Sequence, residues 1–170
     1  MIVLTATIDI SIPCPAWRRV CPTAEALARD AAQNALACGK EGCEFPSQTV
    51  MEVAVSLADD ITQRQLNRDW RGMDHPTNVL AFPAWTPGAP IPPAAPLLLG
   101  DVVLAFETVV REAEEQGKPL ADHLSHLIVH GVLHLLGYDH ATEAEAVIME
   151  SLETSILARL GMPDPYRGTM

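Results

Sequence analysis

Hydrophobic positions repeat with two different periods, which predict strands mainly early in the chain and helices mainly late. Alternating or short continuous apolar runs predict strands at residues 2–12, 49–57, 78–82 and 97–105, the last interrupted at Gly100-Asp101. Apolar residues three and four positions apart predict helices at about 22–38, 60–70, 106–116, 120–136 and 142–160. This order predicts an α+β fold, with residues 1–170 forming a single domain.

The composition is that of a folded protein outside the membrane. Hydrophobic residues make up 48% of the chain, which argues against disorder, and no apolar run reaches the roughly 18 residues that a membrane-spanning helix needs. The first residues lack the basic leader of a signal peptide, so a cytoplasmic location is expected. The four cysteines match no zinc-ribbon spacing and are then expected to be reduced and free: Cys14, Cys21, Cys38 and Cys43.

The charge of the chain restricts how it can bind nucleic acid. A net charge of −11 argues against broad electrostatic binding, so an RNA ligand would need local positive charge. Arg64, Arg68 and Arg71 offer it, because their spacing puts them on one face of a predicted helix. Asp69 and Asp74 lie close by, so an ordinary ion-paired surface is the alternative for Arg64 and Arg68. Arg71 lies where the helix gives way to a loop, and a planar guanidinium there suits phosphate recognition.

The last predicted helix carries a run of acidic residues, Glu143, Glu145, Glu150 and Glu153. Such a run is typical of a solvated helix face and is interpreted as one.

The strongest chemical pattern is a set of histidines near the end of the chain. His130, His134 and His140 follow the pattern H-x-x-x-H-x-x-G-x-x-H. A helix places the first two about one turn apart on one face, and Gly137 can end that helix in a left-handed turn that brings His140 back. Three imidazoles without a fourth protein ligand are typical of a catalytic zinc site with an open position for water. The pattern therefore predicts a metallohydrolase with one Zn²⁺ per chain.

The metzincin proteases share this spacing but have a glutamate after the first histidine, which acts as general base. Here that position is Gly131, which has no side chain to accept a proton. The ligand pattern is kept while the protease base is absent, so the pattern argues against a peptidase.

Two alternatives to this ligand set stay open. Histidines on an apolar helix are often hydrogen-bonded core residues, and His123, His126, His130 and His134 fall on one helical stripe. His126 also stands four residues before His130, so these two form a rival pair of ligands. The glycine turn favours the later three histidines.

Beyond these patterns, the chain resembles the YbeY family of endoribonucleases, the ribosomal RNA maturation factors. The resemblance lies in residues 67–83, in Leu99-Gly100-Asp101, in residues 130–140 and in the tail residues 161–166. The histidine pattern, with glycine after its first histidine, is highly specific in combination with R-x-x-D-x-P-T-[DN]-V-L. One departure is Ala81, which stands where the family usually has serine.

The resemblance implies a zincin-like fold, with a mixed sheet of about four strands packed with about five helices and the ligand helix against the sheet. It implies zinc on His130, His134 and His140 and a functionally essential Arg71. It also implies cleavage of single-stranded RNA in 16S rRNA processing and ribosome quality control. The small ribosomal subunit would then be a partner, with no role for a membrane or a nucleotide cofactor.

The identity of the general base stays open. Asp101 is the predicted candidate, because it lies at a strand position and belongs to the resemblance, while a turn or capping role is the alternative. Asp139 is expected to orient a ligand imidazole. Two other functions also stay open: a metal-stabilised ribosome assembly factor that does not cut RNA, and a metallohydrolase of small molecules.

Overall fold

A mixed sheet of four strands forms the centre of the fold. In a computed structural model, which describes residues 6–46 and 48–167, the strands are Ala6–Ser11 (β1), Met51–Ala58 (β2), Val79–Pro83 (β3) and Leu97–Ala105 (β4). Their order is β1-β2-β4-β3, with β1, β2 and β4 parallel and β3 antiparallel to β4 at one edge. The four predicted strands are confirmed, although residues 2–5 of the first prediction lie outside the described residues.

Six α-helices accompany the sheet in the described residues. They are Ala16–Val20 (α1), Ala24–Gly39 (α2), Asp60–Arg71 (α3), Phe106–Gln116 (α4), Leu120–Leu135 (α5) and Glu143–Arg159 (α6). A short 3₁₀ turn, Lys40–Gly42, follows α2. Helix α1 was not predicted, because five residues are too few to show a helical period. None of the helices in the described part of the chain is long and apolar enough to cross a membrane.

Helices α2 and α5 pack closely on each other over one face of the sheet. The buried face of α2 consists mainly of alanines, each 0% exposed: Ala24, Ala28, Ala31, Ala32 and Ala35. These small side chains let the backbones approach, and a Cβ added at Gly39 would lie 2.6 Å from the Leu136 side chain. The histidine-bearing helix is therefore held in a rigid, well-packed position.

Strand β4 continues through Gly100, and the predicted interruption takes the form of an irregularity in its pairing with β2 rather than a break in the strand. The glycine permits a close approach of the β3 backbone, because a Cβ there would lie 2.2 Å from the Phe82 backbone oxygen at a φ of +140°. Glu52 pairs with Leu98 and Val53 with Gly100, so β4 carries one extra residue at this point. This β-bulge shifts the register of the residues that follow.

Candidate metal centre and its cavity

Helix α5 holds His130 and His134 side by side at its carboxyl end. The helical period places them one turn apart, with ring centroids separated by 4.5 Å. The two Nε2 atoms lie 3.0 Å from each other, so both rings direct the same nitrogen toward one point. Burial, and then the neighbouring His130 and His140, lower the pKa of His134 to about 4. His134 is therefore neutral at pH 7, which is the state of imidazole that binds metals.

The chain turns back after α5 and brings His140 to the other two histidines. Gly137 adopts a φ of +104°, and the Tyr138 and Gly137 amides donate to the carbonyls of Leu133 and His134, both at 3.0 Å. This is the predicted left-handed helix end. The His140 ring then lies 5.5 Å from that of His130 and 5.1 Å from that of His134.

These three histidines form a compact set of donor atoms. One nitrogen from each of His130, His134 and His140 lies within 4.8 Å of the others. Such a triangle of imidazole nitrogens fits a single borderline metal ion such as zinc. The rival ligand His126 is not in this set, because its Nε2 lies 3.2 Å from Glu153 Oε2.

A buried carboxylate, Glu153 of α6, connects the histidines. It is 0% exposed; its Oε1 lies 2.5 Å from His130 Nδ1, and its Oε2 accepts from His126 and from the Tyr166 hydroxyl. Burial favours a higher pKa, but the hydrogen bonds from His126, His130 and Tyr166 outweigh it and lower the pKa of Glu153 to about 2. Because the carboxylate occupies Nδ1 of His130, the Nε2 of that ring is left for a metal.

The interpretation of Glu153 as part of a solvated acidic face is wrong, although Glu143, Glu145 and Glu150 are exposed as expected. A signal for its burial exists in the sequence. Glu153 follows the buried Met149 by four positions and precedes the buried Leu157 by four, so it lies on the apolar stripe of α6. Tyr166, the other missed residue, reaches the site from the tail, and no local pattern marks it.

Gly131 lies where α5 packs directly against β3 and β4. A Cβ at this position would meet the Val102 side chain at 2.8 Å and the Val79 side chain at 3.4 Å. A glutamate therefore has no room here, so the absence of the protease base follows from how α5 contacts β3 and β4.

Arg71 lies at the rim of the same cavity, at the carboxyl end of α3. Its guanidinium donates to the Ala81 backbone oxygen and lies 5.2 Å from the Phe82 ring centroid. Gly72, with a φ of +70°, ends the helix directly after it. Because the acceptor at position 81 is a backbone oxygen, alanine in place of serine leaves this contact intact.

Arg71 differs in its partners from the two other arginines of α3. Arg64 pairs with Asp74 at 2.9 Å and Arg68 with Asp69 at 3.3 Å, as the ion-paired alternative predicts. No carboxylate in the described residues forms an ion pair with Arg71. Its positive charge is available to a ligand in the cavity.

Asp101 is not brought together with the histidines. Its neighbour Val102 faces Gly131 of α5, so alternation along β4 turns Asp101 to the opposite face of the sheet. There it lines a separate depression with Asp9 and Glu52. The structure gives no support to the predicted role of Asp101 as general base.

The cavity that contains the histidines has a volume of about 590 Å³. Its polar wall includes Arg71, Asn78 and Asp139, and its apolar wall is formed by β3 residues, among them Val79 and Pro83. Asp139 Oδ1 accepts a hydrogen bond from the His140 backbone amide at 2.8 Å and so stabilises the turn. The predicted hydrogen bond from Asp139 to a ligand imidazole is not formed. The cavity thus combines a set of metal ligands, an arginine that forms no ion pair in the described residues, and a carboxylate.

Comparisons with known proteins agree with this picture. The family model described as Endoribonuclease YbeY matches residues 19–161. A protein named Endoribonuclease YbeY from Paramagnetospirillum magneticum is 56% identical over 166 residues, which cover 96% of this chain and 98% of that protein. Another of that name, from Rhodospirillum rubrum, is 51% identical over 88% of this chain and 76% of its own length.

A solved structure shares the fold. The solution structure of TM1509 from Thermotoga maritima superposes with a TM-score of 0.58 and covers 91% of this chain and 92% of that one, at 20% sequence identity. The predicted α+β fold is confirmed by this likeness and by the sheet and helices described above. With the family model matching most of its length, the chain belongs to the YbeY family of endoribonucleases.

Proposed function

We propose that the protein is a zinc-dependent endoribonuclease that cuts single-stranded RNA during maturation of 16S rRNA. The observation that carries the proposal is the joint placement, in one cavity, of three convergent histidines and an arginine without a carboxylate partner. The small ribosomal subunit is then the partner, and the cytoplasm, where ribosomes are made, is the location. Four free cysteines in the described residues agree with a reducing compartment.

His130, His134 and His140 would hold the metal ion. The donor set is chemically suitable, because imidazole nitrogens are preferred zinc ligands and the cluster provides three of them. A zinc ion held there would supply Lewis-acid chemistry, which polarises a phosphoryl oxygen and lowers the pKa of bound water. Three protein ligands also leave room for a substrate, whereas structural zinc sites are usually closed by four.

The side chains of the cavity perform the remaining tasks. Arg71 binds a non-bridging phosphate oxygen and stabilises the negative charge that grows during attack on phosphorus. Glu153 fixes the orientation of the His130 ring by accepting from Nδ1. Asp139 lines the cavity, so its carboxylate can accept the proton that the attacking hydroxyl loses. Gly131 has no side chain to do this, and Asp101 lies in a separate depression.

A cleavage assay tests the proposal directly. The substrate is an RNA that spans the 3′ end of 16S rRNA, offered either single-stranded or annealed to its complement, with zinc or after chelation. We expect cleavage of the single strand with zinc alone. Zinc binding with no cleavage would favour the non-cleaving assembly factor, and cleavage only of small phosphoesters would favour the small-molecule hydrolase.

Glu153→Gln is expected to weaken zinc binding about 10- to 100-fold, because a neutral amide orients the His130 ring less firmly than a carboxylate. The affinity is measured by competition with a chelating dye, and circular dichroism confirms that the variant is folded. Glu150→Gln is the matched control, since Glu150 is exposed on the same helix. An unchanged zinc affinity in Glu153→Gln would contradict the orienting role.

A further inference from the structure

Trp70 is unusual among the three tryptophans of the chain. Its exposed fraction is 76%, whereas Trp17 is 0% and Trp85 is 8% exposed. A large aromatic ring left in water forgoes a favourable transfer free energy, so a ring this exposed, one residue before a residue that lines the cavity, suggests a ligand. In the described residues Trp70 makes no stacking contact with another ring.

Trp70 does not itself line the cavity, but it is the sequence neighbour of a residue that does. It lies in the last turn of α3 and directly precedes Arg71, which lines the cavity. It follows Gln63 by seven and Asn67 by three positions, so it shares the helix face of these two buried residues. The buried face of α3 thus ends at Trp70, whose indole ring is exposed to solvent.

The charge around Trp70 suits a polyanion. Three of the eleven basic residues of the chain lie within α3, although the net charge is −11. Arg64 and Arg68 have acidic partners, while Arg71 keeps its charge free. The indole is therefore adjacent in sequence to the one α3 guanidinium that can bind a phosphate.

We propose that Trp70 is a stacking platform for a base of the RNA, next to the phosphate that Arg71 binds. This inference rests on the proposed function and deepens it, because it supplies a reason for single-strand preference. A base in a duplex is already stacked and paired and is not free to lie on the indole, whereas an unpaired base is. Stacking on an aromatic side chain is tolerant of base identity, so the platform recognises strandedness rather than sequence.

Binding of a fluorescein-labelled oligodeoxyuridine, which lacks the 2′-hydroxyls of a ribonuclease substrate, is measured by anisotropy with the zinc-loaded protein and tests the inference. We expect Trp70→Ala to bind about 10- to 100-fold more weakly and Trp70→Phe to bind close to wild type, because phenylalanine also stacks. Ile61→Ala is the control, since Ile61 is 72% exposed at the other end of the same helix and should not affect binding.

Tryptophan emission gives a second readout with unlabelled oligodeoxyuridine. The oligonucleotide is expected to quench the emission of the wild type and not that of Trp70→Phe, because Trp17 and Trp85 are buried. Wild-type affinity in Trp70→Ala, together with unquenched emission of the wild type, would overturn the stacking role of Trp70. If the wild type still cleaved RNA, the proposed function would stand. A wild type that neither binds nor cleaves RNA would overturn both.

Discussion

His134→Ala is expected to lose its metal and, with it, all metal-dependent RNA cleavage. The substitution removes one of three donor nitrogens that lie within 4.8 Å of one another. Two imidazoles remain, and a two-histidine site in water holds zinc far more weakly than a three-histidine site. The zinc content after dialysis, expected near one ion per wild-type chain and near zero in the variant, is the measurement.

The control for this experiment also decides between the two ligand sets. His126 lies on the same stripe of α5, but its Nε2 contacts Glu153 rather than the other donors. His126→Ala is therefore expected to keep its metal at saturating zinc. A full zinc complement in His134→Ala, with loss in His126→Ala, would establish the rival pair of His126 and His130 and would contradict the proposed centre. Circular dichroism must show both variants folded, because α5 is a core helix.

The histidine centre was accessible from sequence because its determinants are local. The spacing of His130 and His134 fixes their shared face once a helix is assumed, and Gly137 marks the turn. The periods of the hydrophobic residues likewise located the four strands and five of the six helices. Each of these features depends on residues within about three helical turns of one another, so no long-range contact has to be known.

The errors arise where distant segments meet. The orientation of Asp101 depends on the bulge between β2 and β4 and on the contact of Val102 with α5, neither of which has a local sequence signal. The burial of Glu153 depends on α6 lying against α5 and on Tyr166 returning from the tail. The positions of Met149 and Leu157 predict that Glu153 faces inward on the apolar stripe of α6. The interpretation as a solvated face rested instead on the acidic residues of the same helix.

Arg71→Glu is expected to lower kcat/KM for RNA about 100-fold or more and to leave zinc binding unchanged. A charge-assisted hydrogen bond to phosphate is lost, which alone is worth about 1.5–3 kcal/mol, and a negative charge then repels the substrate. Arg71 is not among the donor atoms of the histidine cluster, so the metal should stay bound. Steady-state cleavage of the single-stranded RNA and zinc content of the same sample provide the two readouts.

Arg64→Glu is the matched control, because it makes the same charge change on the same helix in a side chain already paired with Asp74. It is expected to have a small effect that disappears as salt is raised, since exposed charges are screened. A deficit in Arg71→Glu that persists at high salt would place its guanidinium against the substrate. Equal losses of kcat/KM in both variants would mean that Arg71 acts only through the overall positive charge of α3. Full activity in Arg71→Glu would exclude Arg71 from the mechanism.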